Sequence, residues 1–77
     1  MYSNGTSMKE IVKNNVYELR SEKGVTQEAL ANKMQVSRQT IIAIEKGNYT
    51  PSVLLAIKLG GFFNIPVEKI FTISYEK

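Results

Sequence analysis

Apolar residues recur four apart at Leu30 and Met34, inside a run of good helix formers from Gln27 to Met34. Thr26 precedes the run and Glu28 puts a carboxylate in its first turn. The pattern predicts a helix of about two turns. Gln35-Val36-Ser37 interrupts it. Ser37 then caps a second predicted helix, Arg38 to Lys46, which Gly47 ends by tolerating a left-handed backbone. Leu30, Met34, Val36, Ile41 and Ile44 form the inward set of the resulting corner, and Ala31 is small enough to let the second helix cross closely.

Outside this corner the pattern is looser. Val12, Val16 and Leu19 fall at helical spacing, and Asn15-Val16-Tyr17-Glu18 has the form of a capping box, so a first helix is expected from Asn15 to Gly24. Ile11 and Val12 either continue that helix backward or lie outside it, and residues 10–13 stay open between helix and strand. Residues 1–9 are expected to be a flexible lead to a domain spanning 10–77. Downstream, Thr50 or Ser52 caps a fourth helix with Pro51 at its start, and Val53, Leu54, Ile57, Leu59 and Phe63 give it a broad apolar face. Gly60 and Gly61 lie inside it at about 1 kcal/mol each relative to alanine, so close packing is expected at one of them at least. Asn64 is a left-handed terminator, and Pro66 to Ile70 reads as one more helical turn. Phe71, Ile73 and Tyr75 then alternate with polar residues as a strand, which must pair with residues 10–13 or with a second subunit. The fold class is therefore mainly α, with five helices and a short C-terminal strand.

Composition narrows the function by exclusion. A chain of 77 residues makes one domain, so any sensing must use the same fold. The formal net charge of +3 permits a nucleic-acid partner without identifying one. There is no cysteine and no histidine, hence no disulfide framework and no thiolate or imidazole metal site. With no clustered carboxylates or phosphate-cradling glycine loop either, no general base, nucleophile or metal set can be assembled, which argues against an enzyme. No cofactor, small-molecule ligand or membrane partner is expected. No apolar stretch approaches a membrane span and the N-terminus lacks a signal-peptide pattern, so a cytoplasmic protein is expected.

Thr26-Gln-Glu-Ala-Leu-Ala, Val36-Ser37-Arg38-Gln39-Thr40-Ile41, Ile44-Glu45-Lys46-Gly47 and Tyr49-Thr50-Pro51-Ser52 occur together in register. In this the chain resembles the lambda-repressor/Cro (Xre-type) family of regulators over about Asn15 to Phe71. The resemblance implies a five-helix lambda-repressor-like domain whose second corner helix lies in the DNA major groove. Arg38 and Gln39, at the start of that helix, are residue types that contact guanine and adenine bidentately. Ala43 can touch a thymine methyl, and Ile42 either does the same or packs on a neighbouring loop. The phosphate contacts are expected from Gln27, Thr26, Ser37, Thr40, Lys46, Asn48 and Tyr49, the last three lying in a loop that uses backbone and side chain. Arg20 and Glu45 match a structural ion pair of the family.

Two positions depart from the family pattern. Gln35 stands where glycine is usual, at a cost of about 1 kcal/mol if the turn is left-handed, and Ile42 stands where a polar residue is common. The leading expectation is a homodimeric, sequence-specific DNA-binding transcriptional regulator, a repressor, on an inverted-repeat operator with half-sites ~34 Å apart. Its dimer interface is expected from Phe62, Phe63, Ile70, Phe71, Ile73 and Tyr75. The alternative is an antitoxin or other protein-binding module of the same fold.

Overall fold

The computed structural model describes residues 9–76, and the expected flexible lead lies outside them except for Lys9, which is the first residue of a strand. In chain order the elements are β1 (Lys9–Asn14), α1 (Val16–Lys23), α2 (Gln27–Met34), α3 (Arg38–Glu45), α4 (Val53–Phe63), α5 (Val67–Ile70) and β2 (Phe71–Glu76). The two strands pair antiparallel within the chain, from Lys9 opposite Glu76 to Asn14 opposite Phe71. Residues 10–13 are thus strand, and β2 finds its partner at the other end of the same chain. Leu30, Ala31, Met34, Ile41 and Ile44 from the corner meet Val16, Leu55, Leu59 and Ile70 in one buried cluster. Val36 packs on its edge, half-buried. No helix among the described residues is long and apolar enough to cross a membrane.

The helix ends follow from local chemistry. Thr26, Ser37 and Ser52 each accept, through the side-chain oxygen, the backbone N–H three residues on, which removes one orphan donor per helix start. Ser52, not Thr50, caps α4, so Pro51 precedes the cap instead of occupying the first turn. Gly24, Gln35, Gly47 and Asn64 all adopt positive φ where helices end. Gly60 is the glycine fixed by packing: a Cβ there would lie 3.0 Å from the Ile65 carbonyl oxygen and 3.3 Å from Val67 Cγ2.

Three expectations need correction. Asn15 occupies the N-cap of α1 but forms no side-chain cap. The oxygen that receives the Val16 N–H is Oδ1 of Asn14, and the Asn15 amide donates to the Lys69 carbonyl instead. The inward side of α4 is Leu55, Leu59 and Gly60 with Phe62 and Phe63 packed beside them, while Val53, Leu54 and Ile57 are 76%, 68% and 59% exposed. A helix this uniformly apolar, with Lys58 its one polar residue, has too few polar positions to mark its outer side, so periodicity could not orient it. Ile70, expected at a dimer interface, is 1% exposed and belongs to the core, because α5 turns it beneath the sheet junction. Phe62, Phe63 and Phe71 are half-buried against the same core.

Candidate nucleic-acid interface

The corner is held by a carboxylate that its surroundings fully occupy. Glu45, at the end of α3, accepts from Arg20 Nε at 2.6 Å and from Arg20 Nη2 at 3.0 Å. These side chains are only 6% and 12% exposed, respectively. Arg20 Nη1 also donates to the Val25 carbonyl, and the Tyr17 ring stands 5.3 Å from the guanidinium. The hydrogen bond to Glu45 raises the Arg20 pKa above its ordinary value; burial opposes this and the Glu45 charge adds to it. The expected pair therefore forms, as a two-pronged link from α1 to α3.

Gln27 joins this link to the exposed edge. Its Nε2 donates to Glu45 Oε1 at 3.1 Å, and its Oε1 accepts from Arg38 Nη2 at 3.5 Å. Arg20, Thr26, Gln27, Glu28 and Arg38 line one open cleft at the α2 N-terminus. Thr26 caps α2 through Oγ1, accepting the Ala29 N–H, and its hydroxyl proton stays available to an acceptor outside the chain. The Ser37 and Thr40 hydroxyls share a hydrogen bond of 3.1 Å while Ser37 Oγ accepts the Thr40 N–H, so one hydroxyl proton of the two remains to donate outward. Arg38 and Gln39 are exposed in the first turn of α3, and Ile42 and Ala43 follow, half-buried.

At the other end of α3 the backbone is already committed. The N–H groups of Lys46, Gly47 and Asn48 donate to the carbonyls of Ile42, Ile44 and Ala43. The Lys46 ammonium, the Asn48 amide and the Tyr49 hydroxyl, all on exposed residues, are side-chain donors that can extend to a phosphate. One contributor escaped sequence reasoning. Asn14, at the end of β1, donates to the Ile44 carbonyl at 2.9 Å and so fixes the end of α3 to the sheet.

Two helices joined at a capped turn, with a polar edge on the second and a buried brace behind it, define a helix-turn-helix domain. The Helix-turn-helix family model of the Cro/C1 type matches residues 16–70, more than half of the chain, and the chain belongs to that family. It is 53% identical over 60 residues, 78% of this chain and 91% of the relative, to an HTH-type transcriptional regulator of Methanocaldococcus jannaschii. To the HTH-type transcriptional regulator YgzD of Bacillus subtilis it is 46% identical over 65 residues, 84% of this chain and 98% of that one. A more distant relative is the cryptic phage CTXphi transcriptional repressor RstR of Vibrio cholerae, 32% identical over 77% of this chain and 53% of RstR. A crystal structure of a candidate DNA-binding protein from Bacteroides fragilis superposes with a TM-score of 0.72 at 22% identity, over 80% of this chain and all of that one, and so shares the fold. The protein is a transcriptional regulator with a helix-turn-helix domain.

Proposed function

We propose that the protein is a homodimeric repressor that reads an inverted-repeat operator in the major groove, one half-site per α3. The observation that carries this reading is the first turn of α3. Arg38 and Gln39 stand exposed there beside the hydrogen-bonded Ser37 and Thr40 hydroxyls, and Arg38 lines the cleft with Gln27 and Thr26. In this reading Gln39 reads adenine and Arg38 reads guanine, with Ala43 and Ile42 against thymine methyls one turn on. Gln27, Thr26, Ser37 and Thr40 grip phosphates on one side and Lys46, Asn48 and Tyr49 on the other. Two-fold symmetry sets the half-sites ~34 Å apart, and a dimer covering both occludes the promoter by occupancy.

Selection of bound sequences from random duplex DNA, followed by binding of Gln39→Ala and Lys46→Ala across a range of salt, tests the roles. Gln39→Ala is expected to lose discrimination at one operator position at a cost of about 1–3 kcal/mol. Lys46→Ala is expected to weaken all sequences alike and to reduce the salt slope by about 1. Identical behaviour of the two variants would overturn the division into base and phosphate contacts.

A further inference from the structure

We infer that the outer face of α4, formed by Val53, Leu54, Ile57 and Gly61, is where a second copy of this chain docks. The inference rests on the homodimer reading above and names its contact surface. Val53 and Leu54 lie one turn before Ile57 on the side of α4 opposite its buried residues, and each of the three is more than half exposed. Gly61 continues the stripe one turn further, since residues three, four and seven apart share a helix face.

Gly61 is an independent sign that this face is covered. A glycine inside a helix is unfavourable relative to alanine, and Gly60 has its reason in the close approach of Ile65 and Val67. A Cβ on Gly61 would meet nothing within 4 Å in its own chain. A neighbouring backbone approaching α4 at that point would supply the missing reason.

Charge selects the occupant. The one charged side chain of α4, Lys58, is turned to the Met34 carbonyl and Gln35 Oε1, at 2.9 and 3.2 Å. Two copies of a chain with net charge +3 repel wherever their charged surfaces face one another, and this neutral face is one they can bring together. An acidic partner would find no cation on the stripe to pair with. Val53, Leu54 and Ile57 together form a contiguous exposed apolar patch, the kind of surface that marks a protein–protein contact. A two-fold contact is self-complementary, so Ile57, central in the stripe, meets its own counterpart across the axis. The face also follows α3 directly in the chain through the Gly47–Ser52 connector, which suits an interface that must hold two copies of α3 in register.

The experiment uses the full chain, which has no cysteine of its own. Ile57→Cys is expected to form a disulfide-linked dimer under mild oxidation, and Ile73→Cys, on the exposed side of β2, is not. In sedimentation equilibrium Ile57→Glu and Gly61→Leu are expected to shift the dimer to monomer by tenfold or more in dissociation constant. Circular dichroism melting should be retained, because both positions are open to solvent. On DNA, Ile57→Glu is expected to bind a single half-site as the parent does and to lose its advantage on the two-half-site operator. A dimer that survives both substitutions, or one broken by Ile73→Glu in their place, overturns the α4 contact and leaves the dimer itself standing. A parent chain that is monomeric both free and on operator DNA overturns the homodimer reading and this contact together, while half-site recognition through α3 stands or falls on the Gln39→Ala result.

Discussion

Glu45 receives three hydrogen bonds on a carboxylate almost withdrawn from water, two from Arg20 and one from Gln27. Removing one partner of such a pair strands the other, so Arg20→Ala is expected to cost ~3 kcal/mol or more in urea unfolding, and Glu45→Ala a similar amount. Arg20→Lys should recover only part of this, since an ammonium cannot reproduce the two-pronged contact. A raised folded-state pKa means that the stabilisation is complete below the unfolded-state value of arginine and is lost only as pH rises through the higher folded one. The pair should therefore impose no pH dependence on stability near neutrality. Gln35 is the opposite case. Its φ of 63° is one a side chain resists, and Lys58 offsets part of the cost by donating to the Met34 carbonyl and to Gln35 Oε1. Gln35→Gly is expected to raise stability by up to ~1 kcal/mol, the Met34 bond being kept, and an unchanged unfolding midpoint would refute the strain account. The Arg20–Glu45 pair was legible through family resemblance, which aligns two distant charged positions. The Lys58 contact was not, because its main acceptor is a carbonyl oxygen, a group that every residue carries.

Element boundaries were legible wherever a side chain and a backbone group a few residues apart decide them. Sequence marks Ser37 as a cap and Asn64 as a left-handed terminator, and each sits where local chemistry puts it, as do the Thr26 cap and the Gly24 terminator. Alanine at Thr26, Ser37 or Ser52 should each cost about 1 kcal/mol in chemical unfolding. The same local rule failed at α1, where adjacent asparagines compete and Asn14, fixed by its bond to the Ile44 carbonyl, supplies the oxygen that Asn15 was expected to give. Orientation is a different matter from extent. The α4 run shows its length plainly, yet which side faces in depends on packing against Val67, Ile65 and the corner, information that lies elsewhere in the chain. Its two glycines should separate cleanly in thermal unfolding at low protein concentration. Gly60→Ala is expected to destabilise through the 3.0 Å approach to the Ile65 carbonyl. Gly61→Ala should stabilise the monomer by up to ~1 kcal/mol, having only the helix propensity to gain. Equal effects would contradict the packing assigned to Gly60.

At the scale of the molecule, local helical contacts build most of the domain, and one pairing does not. The described part of the chain closes on itself where β1 meets β2, an association between its first and last elements. Sequence pattern identified β2 and offered its true partner among two, but it could not choose, because strand pairing at long separation leaves no local mark beyond alternation. The edge of α3 was legible as a set of residues. Its setting was not, since the link from Asn14 to Ile44 depends on where the sheet closes. With Lys9 directly opposite Glu76, a short turn can bridge those two residues. A circular permutant joined there by Asn-Gly and opened between the exposed residues Tyr49 and Thr50 turns the longest-range contact into a hairpin. It should refold faster than the parent in stopped-flow mixing, because the entropy of closing nearly the whole chain no longer stands in the way; an equal or slower rate would place the barrier elsewhere. Any module spliced to either end of this domain would hang from the same end of the two-stranded sheet, the end away from Asn14 and its bond to α3. A tether at one terminus and a tether at the other would pull on the domain at the same point.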